Sequence, residues 1–309
     1  MNEQHRIIQD AMKKWAPFAR IVEIEERPIK PGFQSVELFR HKIAVIERGI
    51  EKEVFLVTKK ASLHERRTLS LLCSQSAKVP FHYSDDPEPD SPSFVCMQDI
   101  DHNTDYTKLD LHVIEQHKIP KALAHIHASN YRRSEELSWL SFADRRYITG
   151  MLQERWKPQW EKALKDGQFR EKFRAYIPDV QAAAATIIDD MEHVLNDEFS
   201  HTLIHTDLHP GNILSTNDNE VFFIDWEEAR YGTFYLDIPL PFRDRHSAEN
   251  YHQLLAASNI DIPLAHYIRQ YRTASRYIGL RYMAWTLWDW KESPSTLQSL
   301  NNYLGMVVG

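Results

Sequence analysis

Apolar positions along the chain recur first at helical spacing and then in alternation. Ile7, Ile8, Met12 and Trp15 fall on one face of a helix spanning residues 3–15. From Ile21 the pattern is strand-like, Pro31-Gly32 marks a turn, and a second extended run covers residues 36–46. A charged turn at 47–52 leads to a third strand, 53–60, that ends in two lysines. Residues 62–74 read as a helix, and Val79-Pro80 closes the segment. The polar stretch 84–93 is a loop by composition, and 94–97 is a buried strand.

Past this point helical spacing dominates. A helix covers 119–131; a segment carrying Trp156 and Trp160 is interrupted at Pro158 and relaxes at Asp166-Gly167. Pro178 opens a long helix to about residue 196, and Asp261-Ile262-Pro263 starts a final long helix to about residue 290. Tyr271, Ile278, Tyr282 and Trp285 fall near one face of that last helix, a spacing that serves a core.

Between the long helices lies HTDLHPGNILSTNDNEVFFIDWEE, residues 205–228. Asp207 comes first and Asn212 follows five positions later. A polar connector and the apolar strand 221–224 then deliver Asp225. Phosphoryl transfer needs an acceptor oxygen held in line and cations over the phosphate oxygens. Hard Mg²⁺ takes oxygen ligands, which Asn212 and Asp225 supply, leaving Asp207 to orient the attacking hydroxyl and accept its proton. The pattern His205-x-Asp207-Leu208-x-x-x-Asn212 matches the kinase loop H-R-D-L-x-x-x-N, with Thr206 in place of Arg, and Asp225-Trp226-Glu227 falls where D-F-G would. A competing reading makes His201, His205 and His209, with Asp207, ligands of a transition metal on one helix face. Pro210-Gly211 argues against a helix continuing there, and His205 is expected instead to hold the loop by hydrogen bonds.

Composition narrows the class. At 309 residues, 42% hydrophobic and 26% charged, the chain has the length for two lobes and a substantial core. No apolar run approaches a membrane span, and the N-terminus lacks the apolar core of a secretory signal, so a cytoplasmic location is expected. Cys73 and Cys96 form no CxxC pair and read as buried thiols. A net charge of −7 disfavours nucleic acid and suits a cationic substrate. Nine glycines and no G-x-x-x-x-G-K-[ST] exclude a Walker-type phosphate loop.

With HTDLHPGN and IDWEEA in this order, the chain resembles the aminoglycoside phosphotransferase and choline kinase superfamily, small-molecule kinases with a protein-kinase-like fold. The resemblance implies an α+β, bilobal architecture: a nucleotide-binding lobe at 1–98 with an antiparallel sheet and one key helix, and a mainly helical catalytic and substrate-binding lobe at 99–309. It implies ATP, or GTP, with Mg²⁺. One of the two strand-end lysines should reach the α- and β-phosphates, and strand parity favours Lys59 over Lys60. Glu65, in a helix resembling the family's Glu-x-x-x-Leu-x-Leu-Leu, should pair with that lysine. Residues 31–36 depart from G-x-G-x-x-G, having one glycine, so Gln34 and Ser35 are the candidates for contacting phosphate. Met97 should back the purine, with backbone groups near Gln98 and Ile100 reading adenine. The helix around Leu123 to Ala128 resembles the family's LAxLH helix, with His127 structural, and Asp237 is implied to be a structural aspartate.

The absence of A-P-E and of a long activation segment points away from a protein substrate. A small molecule with a hydroxyl acceptor is expected instead, neither nucleic acid nor membrane being a partner, and the chain being a monomer or a homodimer. An aminoglycoside-like cationic antibiotic is the leading choice, Glu227, Glu228 and Asp237 offering negative charge near the metal site. Choline, ethanolamine or another small metabolite is the enzymatic alternative, with aromatics at 285–290 as a pocket. A catalytically silent nucleotide-binding regulator is the alternative from another class.

Overall fold

The computed structural model describes residues 3–29, 37–84, 93–103 and 105–309. Gln34 and Ser35, with the Pro31-Gly32 turn, lie outside the described residues. The chain forms two compact units: residues 1–114 with 211–229, and residues 115–210 with 230–309.

In the first unit helix α1 (Glu3–Trp15) is followed by strands β1 (Ala19–Pro28), β2 (Leu38–Glu47) and β3 (Ile50–Ala61), helix α2 (Leu63–Ser74), and strands β4 (His82–Ser84) and β5 (Ser93–Gln98). The five strands make one antiparallel sheet in the order β1-β2-β3-β5-β4. The helical periodicity of α1 has a direct consequence. Ile7, Ile8, Ala11 and Met12 are buried together against Ile43, Val45, Leu56, Phe94 and Cys96 from the sheet. Burial of the Cys96 thiol pushes it up to about 12, so it behaves as an apolar core group.

Helix α2 begins at Ser62, whose Oγ accepts the Glu65 N–H at 3.2 Å. The Ser62-x-x-Glu65 spacing is that of a capping box, in which the glutamate would turn back to the cap. Here the Glu65 carboxylate turns to Lys59 instead. The hairpin formed by Ile213–Ser215 and Val221–Phe223 belongs to this unit. Phe223 N donates to Lys78 O at 2.8 Å, Lys78 pairs with Glu220 at 2.6 Å, and the His64 ring meets Ala229 O at 2.7 Å.

The second unit is mainly helical. Its elements include α3 (Ile119–Ser129), α4 (Ile177–Leu195), strand β6 (His201–Ile204) paired antiparallel with β7 (Arg230–Thr233), α5 (Arg245–Ala257), α6 (Leu264–Thr286) and α7 (Pro294–Val308). The interruption expected at Pro158 takes the form of a π turn at Leu152–Trp156 leading into a helix at Lys157–Ala163, since proline offers no N–H to continue the ladder. The last stretch of chain departs from expectation. Instead of one helix to residue 290, α6 ends at Thr286 and α7 starts anew at Pro294, where proline's missing N–H costs nothing in the first helical turn. No helix among the described residues is long and apolar enough to cross a membrane.

Gly279 lets α6 and α7 close. A Cβ there would stand 2.9 Å from Tyr303 O, 2.9 Å from Val307 Cγ2 and 3.0 Å from Met306 Cβ. Gly279→Ala must therefore push backbone against backbone, and is expected to lower stability by about 1–3 kcal/mol in urea unfolding. A second expectation concerns acid. His41 is fully buried in β2, its Nε2 2.8 Å from Thr58 Oγ1, and burial, assisted by His5, lowers its pKa from 6.5 to about 4. Between those values the unfolded chain holds a proton that the folded chain does not, so stability is fully present above pH 6.5 and is lost as pH falls towards 4. The loss attributable to this group is roughly 3 kcal/mol at most. Urea melts across that range, compared with His41→Gln, should show a shallower acid decline in the variant.

Candidate active site

Strand β3 carries Lys59 and Lys60 on opposite faces, and their surroundings differ accordingly. Lys59 is buried, with Nζ 2.8 Å from Glu65 Oε1, 2.5 Å from Asp225 Oδ1 and 3.9 Å from Glu227 Oε2. Lys60 points the other way and meets Glu37 at 3.0 Å on the surface. Burial disfavours the charge on Lys59, but the Glu65 and Asp225 carboxylates outweigh it and hold the ammonium above its ordinary range. Burial also pushes the Glu65 carboxyl up, to about 7, against the pull of Lys59. Its Oε2 is buried and has no hydrogen-bond partner among the described residues.

Three carboxylates thus face one ammonium within the first unit. Glu65, Asp225 and Glu227 each bring an oxygen within 4.8 Å of the others, a donor set of hard oxygens with excess negative charge that suits a divalent cation. The side chains differ in access: Glu65 is 2% exposed and Asp225 43%. Asp225 adopts a left-handed conformation, φ 64° and ψ 61°, uncommon for a residue with a side chain. Trp226 is fully buried just after it and donates its indole N–H to Phe223 O at 3.2 Å, which fixes the turn. Glu228 is half-buried in the same short helical turn. Asn212, largely buried, is tied to the end of the hairpin by its carbonyl, which accepts the Ile224 N–H at 3.0 Å.

Met97 and Gln98 end β5, and Ile100 is buried just beyond. Gln98 N donates to Phe81 O at 2.8 Å and Asp99 N to Phe55 O at 3.2 Å, while Ile100 O lies 2.9 Å from the His102 ring.

The second unit holds Asp207 on a turn fixed from behind. Asp237, buried, accepts the backbone N–H groups of His205 at 2.7 Å and Thr206 at 2.8 Å. The buried His127 of α3 stands between this carboxylate, 3.2 Å away, and the Tyr251 hydroxyl of α5 at 2.5 Å. Thr206 is held at φ 65°, also in the left-handed region. His205 is fully buried, and its Nδ1 accepts the Asp207 N–H at 3.3 Å. His201 meets Leu195 O at 2.7 Å, so His201 and His205 each serve a backbone group, while His209 Nε2 stands 3.9 Å from Asp207 Oδ2.

Two residues that contact this turn from α6 have no sequence pattern linking them to it. Tyr282, which reads as a core aromatic of α6, is buried and donates its hydroxyl to Asp207 Oδ1 at 2.7 Å. Arg281, 1% exposed, donates through Nη1 to Thr206 O at 2.7 Å. An arginine inside an otherwise apolar helix face was the available signal, because such a charge is rarely buried without a partner.

The sequence profile described as "Phosphotransferase enzyme family" matches residues 56–240. Among solved structures, the spectinomycin phosphotransferase APH(9)-Ia, in complex with ADP and spectinomycin, is similar with a TM-score of 0.61 and 16% identity, over 98% of this chain and 97% of that one. An aminoglycoside phosphotransferase from Alicyclobacillus acidocaldarius is similar with a TM-score of 0.58 and 19% identity, over 86% and 85%. The choline kinase LicA from Streptococcus pneumoniae is similar with a TM-score of 0.50 and 12% identity, over 99% of each chain. At these identities the likeness establishes a common protein-kinase-like fold. No curated protein sequence matches the chain.

The different surroundings of the two lysines yield a direct test. Lys59→Met, which keeps the apolar stem but removes the charge facing Glu65 and Asp225, should weaken Mg·ATP binding at least about tenfold in isothermal titration. Lys60→Met, altering only a surface pair, should stay within about twofold of the native affinity.

Proposed function

Because the chain belongs to the phosphotransferase enzyme family, we propose that it transfers the γ-phosphate of ATP to a hydroxyl of a small molecule, with an aminoglycoside-like cationic antibiotic as the leading acceptor. The observation that carries this reading is the Lys59 ammonium among Glu65, Asp225 and Glu227. A buried lysine oriented by a helix glutamate is the point charge that α- and β-phosphates require, and Glu65 holds it in one rotamer. Asn212 and Asp225 would hold Mg²⁺, whose chemistry when bound is to neutralise charge on the phosphate oxygens. Met97 and the backbone near Gln98 and Ile100 would take the adenine.

Asp207 is the residue left for the acceptor. Its carboxylate would accept the hydrogen bond of the attacking hydroxyl and, as the bond to phosphorus forms, its proton. Asp237 does not touch the reactants in this scheme; it fixes the backbone of His205 and Thr206 and so aims Asp207. Glu227 and Glu228 would favour an acceptor bearing positive charge. A choline- or ethanolamine-like acceptor is the second reading, favoured by the exposed indoles of Trp285 and Trp288, 41% and 56% accessible, whose faces suit a quaternary ammonium.

An ATP-consumption assay over aminoglycosides, macrolides, choline and sugars identifies the acceptor class. Asp207→Asn should then bind Mg·ATP with native affinity and turn over at least about a hundredfold more slowly. Turnover near the native rate in that variant overturns the assignment of Asp207 as base.

A further inference from the structure

Arg281 presents a physical problem that its hydrogen bond to Thr206 does not solve. A guanidinium 1% exposed carries a large desolvation cost, and a neutral amide would satisfy the Thr206 carbonyl equally well. Its Nη2 is buried and has no hydrogen-bond partner among the described residues, yet stands 3.8 Å from Asp207 Oδ1. The aromatic faces of Tyr147 and Tyr282 lie 5.9 and 5.3 Å from the guanidinium carbon and shield this charge from water. The neighbouring Tyr282 hydroxyl donates to the same Oδ1 at 2.7 Å. Two consecutive residues of α6 therefore converge on one carboxylate oxygen and on the strained residue that precedes it.

We propose that Arg281 and Tyr282 are positioning residues for Asp207: the arginine locks Thr206 in its left-handed conformation and supplies the charge that Asp207 faces, while the tyrosine fixes the rotation of the carboxylate through Oδ1. This rests on the reading of Asp207 as the orienting base. The consequence is pre-organisation, because a carboxylate already tethered at one oxygen meets the acceptor in a single orientation rather than several. Gly279, two positions before Arg281, secures the same helix against α7, so the tether is anchored to a rigid element.

The test is a double-mutant cycle on hydrolysis of Mg·ATP, with water as the acceptor. Tyr282→Phe keeps the ring and should lower kcat about tenfold with KM for ATP within about twofold; Arg281→Met should lower it about a hundredfold, and Arg281→Lys should recover part of that loss. Placed on Asp207→Asn, each substitution should add less than about twofold, because the group it positions is no longer a carboxylate. Losses that multiply in the Asp207→Asn background, or single variants with native kcat, overturn the proposal. Asp207→Asn hydrolysing ATP at the native rate would instead sink the reading of Asp207 itself, a distinguishable result. Should Arg281→Met not fold, as judged by its circular dichroism and thermal transition, the cycles with Tyr282→Phe and Arg281→Lys carry the same decision.

Discussion

A buried ammonium is the constraint from which the first unit can be understood. Lys59 is removed from water at the end of β3, and an uncompensated charge in that place would be untenable. The compensation comes from two separate pieces of chain: Glu65 from α2, and Asp225 with Glu227 from the turn after the hairpin. Each is itself held by a local device. Ser62 caps α2 and sets its first turn, and Trp226 anchors the turn carrying Asp225. Lys78 receives the hairpin edge through its carbonyl, and α1 packs its apolar face against the sheet. Removing the charge at position 59 would leave these carboxylates without the group that justifies their proximity.

The second unit solves a different problem, that of holding a strained backbone turn. Thr206 occupies the left-handed region, and the cost is met by donors and acceptors on both sides: Asp237 takes the amides of His205 and Thr206, and Arg281 takes the Thr206 carbonyl. Behind Asp237 stand His127 and Tyr251, so α3 and α5 both contribute to the same polar cluster. Such a network is fully buried, and every partner lost leaves a polar group without water to replace it. His127, in the last turn of α3, is thereby buried with its ring nitrogens facing Tyr251 and Asp237.

Much of this was legible in the linear chain because it rests on short-range rules. The 3.6-residue spacing of Ile7, Ile8, Met12 and Trp15 names α1 and its buried face, and Pro178 in the first turn of α4 signals where that helix begins. Alternation along β3 separates Lys59 from Lys60, since two adjacent strand residues cannot face the same way. The spacing of His205, Asp207, Asn212 and Asp225 is equally local, and the proposed chemistry rests on it. Less visible was the end of the chain. Apolar and aromatic residues continue past Thr286, but tertiary contact, not periodicity, decides that α6 stops there and that α7 folds back on Gly279.

What the sequence determined by itself is the elements of the first unit, the long helices up to α6, the protein-kinase-like order of motifs and the residue types proposed for phosphoryl transfer, because propensity, parity and short spacings act within a few residues. Only the tertiary structure decided which distant groups share an environment. It placed residues 211–229 with the first unit, so that Asp225 and Glu227 meet Lys59 across more than one hundred and sixty positions of chain. It also brought Arg281 and Tyr282 to Asp207, about seventy-five positions away. Neither pairing has a local signature. Both follow from burial, which makes a charge or hydroxyl removed from water seek whatever partner the packing of separate elements puts within reach.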